Sequence, residues 1–444
     1  MANFTFKRKI YTEMLNWKSN SAGRTALLIE GARRIGKSTI AEEFAKHEYD
    51  SYILIDFNKA SKQVLDLFDD LNDLDHIFLL LQAIYHKTLK NRKSLIIFDE
   101  VQQCPKARQA IKYLVADGRY DYIETGSLIS IKKNVENITI PSEEDRLQMN
   151  PMDYEEFRWA LGDEATPTLL KTFFESKRSL EAVHRTAMRD IRLYTLVGGM
   201  PQAVAEYLNT KDLSKVDAMK RKIIQLYADD FKKIDPSRKV SKLFLNIPAQ
   251  LNKNSGRYVT SAIIGRVNKS SEWSLLQQLE ESKTVNIAYH CDDPNIGMAQ
   301  TQNTDRFKLF VCDTGLFVTL CFWDKSFTEN IIYEKLLSDK LSTNLGYVYE
   351  NLVAQMLTAI GKKLFYHTWA KDEKHRYETD FLISRGKKIC PIEVKSSSYK
   401  SHASLEAFCE KFSDRVGERY LIYSKDLMQD KETTLLPIYM TMFL

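Results

Sequence analysis

The chain has 444 residues, 44% hydrophobic and 28% charged, with a formal net charge of +5. At roughly 100–200 residues per domain this length implies about two to four domains, and the mild positive charge permits a nucleic-acid partner without requiring one. The six cysteines (Cys104, Cys291, Cys312, Cys321, Cys390, Cys409) are scattered and form no CxxC pair, which argues for a reducing compartment and against a zinc site. The start, MANFTFKRKIY, lacks the apolar run of a signal peptide. The best apolar stretch, His76 to Tyr85, is too short to span a bilayer. The expectation is a soluble, cytoplasmic protein with no membrane partner.

Short strands are predicted at 25–30 (TALLIE), 51–57 (SYILIDF), 94–98 (SLIIF) and 121–125 (DYIET). Helical patterns separate them, at about 37–46, 61–72, 74–89 and 106–115. Strands alternating with helices indicate a parallel α/β sheet. From about 151 the pattern turns helical: 153–161, 167–175, 179–194, 200–208 and 214–230. Three further helices (240–251, 258–266, 271–282) precede a strand pair, TVNIAYH (284–290) and RFKLFVCD (306–313). That order is the one found in a winged helix-turn-helix. A long helix (345–360) then leads to strands at 363–369, 379–384, 388–395 and 419–424, with a helix at 402–412 between the last two. This tail is a second α/β unit.

The first strand runs into GARRIGKST, in which Gly31, Gly36, Lys37 and Ser38 satisfy G-x-x-x-x-G-K-[ST] between a strand and a helix. Glycines let the backbone wrap phosphates, and the amide groups at the helix start supply positive potential. Lys37 is expected to reach the β and γ phosphates of ATP. Ser38, followed by Thr39, is expected to hold Mg²⁺. Downstream, LIIFDE brings Asp99 and Glu100 out at the end of an apolar strand. Asp99 suits Mg²⁺ coordination and Glu100 the polarisation of an attacking water. The next strand ends in ETGS. Thr125 or Ser127 there senses the γ-phosphate or orients water, or the Thr-Gly-Ser turn simply caps the strand. Arg33, Arg34 and Arg146 are candidates for contacts with phosphate or a neighbouring subunit.

GARRIGKST, LIIFDEVQQCP, IETGS, NPMDYEEF and YTLVGGMPQAV, in this order, resemble a family of prokaryotic AAA+ ATP-binding proteins. The family is similar to the archaeal ATPase and STAND-like groups and carries a C-terminal domain of largely unknown function. The resemblance covers nearly the whole chain. It implies that Gly199 and Pro201 of GGMP lie in a helical lid near the adenine; the plain alternative is a turn between two helices. It also implies a winged helix over 240–313.

In CPIEVKSSS, Glu393 and Lys395 interrupt an apolar strand two residues apart and so share a face. Together with Asp380 in YETDFLIS, they resemble the PD-(D/E)XK nuclease core, with Thr379 where the family name has proline. The resemblance adds Glu350, on the helix before the strands. It implies that Glu350, Asp380 and Glu393 hold Mg²⁺ or Mn²⁺ and that Lys395 orients the attacking water or stabilises negative charge. The plain alternative is a Glu–Lys salt bridge on one strand face. Between Lys242 and Ser271, the residues Lys242, Lys253, Arg257, Arg266 and Lys269 occur without any acid. They form either a phosphate-binding face or a solvated basic surface.

The resulting expectation is an N-terminal lead (1–20), a P-loop AAA+ core (21–150), a helical lid (151–205), a helical and winged-helix segment (206–330) and a PD-(D/E)XK nuclease-like α/β domain (331–444). ATP state would control a DNA-related tail. The rivals are an ATP-dependent switch or scaffold with an inactive nuclease fold, and a ring motor of several copies that remodels DNA without cutting it, with Arg146 acting in trans.

Overall fold

The computed structural model describes residues 4–126, 142–253, 256–326, 328–338, 346–396 and 402–444. Its contacts separate two units, Asn3–Asn150 and Pro151–Glu280 with Thr284–Leu444. The first contains α1 (Ile10–Ser21), β1 (Ala26–Glu30), α2 (Lys37–Glu48), β2 (Ser51–Asp56), α3 (Lys62–Asp66), α4 (Leu74–Tyr85), β3 (Ser94–Asp99), α5 (Pro105–Asp117), β4 (Asp121–Gly126) and β5 (Glu144–Gln148). The strands pair in parallel in the order β2-β3-β4-β1-β5.

Every residue of β1, β3 and β4 is buried. Continuous apolar runs such as Leu95–Phe98 are what a parallel strand covered on both faces requires. Beneath β3, Phe57 and Phe68 each meet Phe98 edge-on with ring centroids 5.5 Å apart. Each such pair adds about 0.5–1.5 kcal/mol beyond burial. These contacts hold the strand that ends in Asp99.

Two elements go beyond the sequence expectation. Helix α1 occupies part of the N-terminal lead and buries Met14 and Trp17. Strand β5 has the polar sequence EDRLQ and lies at the sheet edge. Its Glu144 is bound by buried Arg108 of α5 at 2.8 Å, so an ion pair takes the place of an apolar face. The helix expected over 61–72 stops at Asp66, where the Asp- and Asn-rich sequence turns instead, with the Asn72 amide donating to Asp70 Oδ1.

The second unit begins with α6 (Tyr154–Ala160), α7 (Ala165–Ser176), α8 (His184–Val197), α9 (Pro201–Thr210), α10 (Leu213–Ile234), α11 (Lys239–Leu245), α12 (Ile247–Leu251), α13 (Ser261–Ile264) and α14 (Lys269–Glu281). Then follow β6 (Val285–Cys291), β7 (Gln302–Val311), α15 (Thr314–Cys321), α16 (Asn330–Leu337), α17 (Gly346–Ala359), β8 (Leu364–Ala370), β9 (Arg376–Arg385), β10 (Lys388–Val394), α18 (Ala403–Lys411), β11 (Arg419–Tyr423), β12 (Met428–Asp430) and β13 (Thr433–Pro437). All eight strands form one sheet in the order β12-β13-β11-β10-β9-β8-β6-β7.

This topology corrects the expected winged helix. The helix expected over 240–251 breaks at Asn246, ahead of Pro248. The one expected over 258–266 is only Ser261–Ile264. The strand pair is no free wing, because β6 pairs in parallel with β8, Ala288 to Leu364 and His290 to Tyr366. Tyr289 and His290 are buried, so both faces of β6 are covered, as a strand inside a sheet demands. The segments expected as 206–330 and 331–444 therefore share one sheet. No helix among the described residues is long and apolar enough to cross a membrane.

A buried polar chain ties this unit together. The GGMP stretch is a tight turn between α8 and α9, and a Cβ on Gly199 would lie 1.9 Å from the Met152 carbonyl oxygen. The Gly199 amide donates to Asp313 Oδ2 at 2.5 Å, and Asp313 Oδ1 accepts the Leu316 amide at 2.9 Å. The Tyr194 hydroxyl donates to Met152 O (2.7 Å) and accepts from Gln355 Nε2 (2.8 Å). Gln355 Oε1 takes the Thr314 amide at 2.8 Å. Asn351 closes a two-way pair with the Val311 backbone, at 2.8 and 3.1 Å. Gly199→Ala should lower stability by about 1–3 kcal/mol through overpacking. Asp313→Ala should cost about 1–3 kcal/mol for each buried donor that it leaves unpaired. Urea denaturation of the full chain measures both, and unchanged midpoints would remove the network's structural role.

Candidate functional site

In the first unit the chemistry gathers at the C-terminal ends of β1, β3 and β4, where ligands of open parallel sheets bind. Gly31 and Gly36 adopt φ 153° and 96°, conformations that favour glycine. A Cβ on Gly31 would also fall 2.3 Å from Met149 O. The loop closes on Lys37, whose buried Nζ donates to the carbonyls of Gly31 (3.0 Å) and Ala32 (2.9 Å). Burial pulls the Lys37 pKa down to about 8, against the opposing charges of Glu100 and Asp99. Ser38 Oγ donates to Asp99 Oδ1 at 2.6 Å, and the Thr125 hydroxyl donates to the same oxygen. A hydroxyl and a carboxylate side by side are hard oxygen donors, a pair that fits Mg²⁺.

Glu100 has φ 55° and accepts a hydrogen bond from Gln102 Nε2. Gln102 is itself buried. Sequence reasoning passed over this glutamine, although it stands two residues beyond Glu100 in DEVQQ. Arg34, at φ 71°, and Thr39 remain exposed. Arg146 is held within its own chain, by Glu144 at 2.9 Å and Glu30 at 3.5 Å. Ser127 lies outside the described residues, and Pro201 is the first residue of α9 in the second unit.

The second unit holds a separate cleft of about 1230 Å³. Glu350 comes from α17, Asp380 and Glu378 from one face of β9, and Glu393 from β10, with Lys395 just beyond it. All five line the cleft. The antiparallel register that pairs Ile392 with Phe381 sets Glu393 beside Asp380 at the next step. Asp380 Oδ2 accepts the Val394 amide at 2.7 Å, and Lys395 Nζ pairs with Glu393 Oε1 at 2.7 Å. Burial and mutual repulsion raise the carboxyl pKa of Asp380, and burial raises those of Glu350 and Glu393. Arg257, Arg306, Lys374 and Arg376 line the same cleft.

Lys308 of β7 completes the cluster. Its Nζ is paired with Glu378 and lies 3.6 Å from Glu350. Sequence reasoning missed both Lys308 and Glu378. Lys308 stood out only as one charge inside the apolar run FKLFV, and Glu378 only as a second acid two residues before Asp380. Among the described residues no group of three or more His, Cys, Asp or Glu side chains could hold a metal ion. The expected triad of Glu350, Asp380 and Glu393 thus shares one cleft but, as arranged, does not fit a divalent cation. Of the expected basic face, Arg257 reaches this cleft, whereas Lys269 pairs with Asp305 at 2.6 Å.

Residues 23–158 match the family described as AAA domain. Residues 188–326 and 345–441 match two domains of unknown function, DUF8612 and DUF4143. No match is found among curated proteins. Solved structures similar to the chain include a Walker-type ATPase of Pyrococcus abyssi, at 16% identity over 71% of this chain and 96% of that one, with a TM-score of 0.42. The Orc1 protein of Aeropyrum pernix in complex with DNA matches at 11% identity over 76% of this chain and 94% of that one, with a TM-score of 0.31. A STAND protein with a tetratricopeptide-repeat sensor from Pyrococcus horikoshii matches at 12% identity over 81% of this chain and 46% of that one, with a TM-score of 0.29. The functional reading rests on the AAA domain and the residues described above. The parallel sheet and its phosphate loop lie within the segment that matches the AAA domain.

The depressed Lys37 pKa has a sign that can be tested. A bound phosphate favours the ammonium form, so binding takes up a proton wherever the free lysine is neutral. Affinity for a fluorescent ATP analogue should hold below pH 8 and fall above it, by up to about tenfold per pH unit. Lys37→Met should bind weakly and flatten the profile. A wild-type profile flat to pH 9.5 would contradict the assignment.

Proposed function

We propose that the chain is an ATP-binding and ATP-hydrolysing AAA+ switch whose nucleotide state controls a nuclease-like, DNA-related second unit. The observation that carries the first half is the junction of Ser38, Asp99 and Thr125 on one carboxylate oxygen, beside the loop that cages Lys37. In this reading ATP exchanges the loop carbonyls for its phosphates as partners of Lys37. Ser38 and Asp99 would hold Mg²⁺, which supplies charge neutralisation on the phosphates. Glu100, oriented by Gln102, polarises the attacking water. Pro201 is the proposed adenine contact, and Arg34 and Thr39 are proposed to contact phosphate. Differential contacts with ATP and ADP supply the switching energy.

The second half is supported by connectivity and by charge. Helix α17 carries Glu350 ahead of strands β9 and β10 with Asp380 and Glu393, the placement that the resemblance to the PD-(D/E)XK core implies. The cleft joins buried carboxylates to a basic wall of Arg257, Arg306, Lys374 and Arg376, as a groove for a phosphate backbone would. A second reading, the same switch with a catalytically inactive nuclease fold, is favoured by the lysine-paired state of Glu350, Glu378 and Glu393.

Glu100→Gln should retain ATP binding and lose about 10²–10⁴-fold in hydrolysis rate, read in a phosphate-release assay. Undiminished turnover would exclude Glu100 as the base. Arg257→Ala with Arg376→Ala should weaken DNA binding and lower its salt dependence by about two charges, measured by fluorescence anisotropy with ATP and with ADP. Equal affinity in both nucleotide states would sink the switch. Metal-dependent cleavage that is lost in Asp380→Asn would dismiss the inactive-fold reading.

A further inference from the structure

The phosphate loop is held by a side chain of the N-terminal lead. Arg8 stands two residues before α1 and is only 6% exposed. Its backbone is fixed by the first turn of that helix, because the Arg8 carbonyl accepts the Tyr11 amide at 3.1 Å, and α1 is anchored by buried Met14 and Trp17. The guanidinium spans two backbone carbonyls: Nη1 donates to Ile35 O at 2.9 Å and Nη2 to Asn150 O at 2.6 Å. Ile35 lies in the loop directly before Gly36, and Asn150 follows the end of β5. The residue next to Asn150 holds the start of the same loop. The Met149 amide donates to Glu30 O at 2.8 Å, and the Met149 carbonyl oxygen occupies the place of a Gly31 side chain. A planar fork of donors that bridges two carbonyls is what arginine supplies and lysine does not.

A trans peptide is planar, so its carbonyl and its N–H point in opposite directions. Holding the Ile35 carbonyl therefore fixes the direction of the Gly36 N–H. Gly36, at φ 96°, is a residue at which that peptide could otherwise turn over at little steric cost. We propose that Arg8 is a positioning residue for nucleotide binding: by holding the Ile35 carbonyl it presents the Gly36 amide, already oriented, to the phosphates. The inference rests on the ATP-binding reading of the phosphate loop and adds to it a residue outside the motif. The loop carbonyls fall into two classes. Those of Gly31 and Ala32 are held by Lys37, which phosphate draws away, whereas that of Ile35 is held by Arg8, which has a second anchor at Asn150. One end of the loop adjusts to the ligand and the other is preformed, which lowers the ordering cost of binding.

The test is equilibrium titration of the full chain with a fluorescent ATP analogue and Mg²⁺, with inorganic tripolyphosphate as competitor. Arg8→Lys keeps the charge but loses the fork. It should raise the Kd of the analogue about tenfold, leave the binding stoichiometry unchanged, and raise the inhibition constant of tripolyphosphate by the same factor. A role confined to stability reads differently: it lowers the fraction of molecules able to bind, and so the stoichiometry, without moving the Kd. Arg8→Gln, which keeps one neutral donor, should lose at least as much affinity, and it guards against an Arg8→Lys protein that fails to fold. An unchanged Kd in the folded variants, beside a wild type that binds, overturns the proposal and leaves the ATP-binding reading standing. A weaker analogue with unaltered tripolyphosphate competition also overturns it, because the lost contact is then not with phosphate. Failure of both variants to fold overturns it as well and makes Arg8 a residue of the fold alone. A wild-type chain that binds neither probe removes the ATP-binding reading and the proposal with it.

Discussion

Much of the second unit depends on one buried polar chain. Asp313, the Gly199 amide, the Met152 carbonyl, Tyr194, Gln355, Thr314, Asn351 and the Val311 backbone satisfy one another without solvent. A buried polar group without a partner costs about 1–3 kcal/mol, so each link constrains the next. The chain joins the turn after α8, the start of α15, the end of β7 and the inner face of α17. It thereby decides where Glu350 lies relative to Lys308. Glycine at 199 follows from the same closeness, because the Met152 carbonyl occupies the place of a side chain.

Two buried lysines sit at the two candidate sites in opposite electrostatic settings. Lys37 is surrounded by loop carbonyls, and desolvation outweighs nearby acids, so its pKa falls. Burial acts on Lys308 in the same direction, but Glu378, Glu350 and Asp380 outweigh it and the ammonium is favoured. The first lysine is a cation short of anions and gains from an incoming phosphate. The second already has its anions. The same residue type is therefore poised for a ligand in one unit and neutralises buried acids in the other.

The sheet architecture places both sites at positions that local structure alone does not supply. Parallel strands in the order β3-β4-β1 set Thr125 between the phosphate loop and Asp99, so a single carboxylate oxygen takes two hydroxyl donors. In the second unit, eight strands bring a lysine from one segment against acids from another, across a stretch of more than forty residues from Lys308 to Glu350.

The phosphate loop, its acidic partner strand and the alternation of strands and helices were legible in the sequence. Their residues lie close together along the chain and their roles are set by strand-loop-helix geometry. The face shared by Glu393 and Lys395 was legible too, since alternation along a strand is a local rule, and their pairing at 2.7 Å is the plain salt bridge that rule allows. Strand β5 was not legible, because its Glu144 meets Arg108 of α5 only after folding. Neither was the fate of β6 and β7. Their hydrophobic pattern specifies a hairpin, but not whether its outer edge stays free as a wing or accepts β8. Only tertiary pairing decides that, through backbone hydrogen bonds that carry no side-chain signature. Lys308 follows from it: a lone charge on an apolar strand acquires its partners from the sheet that forms around it.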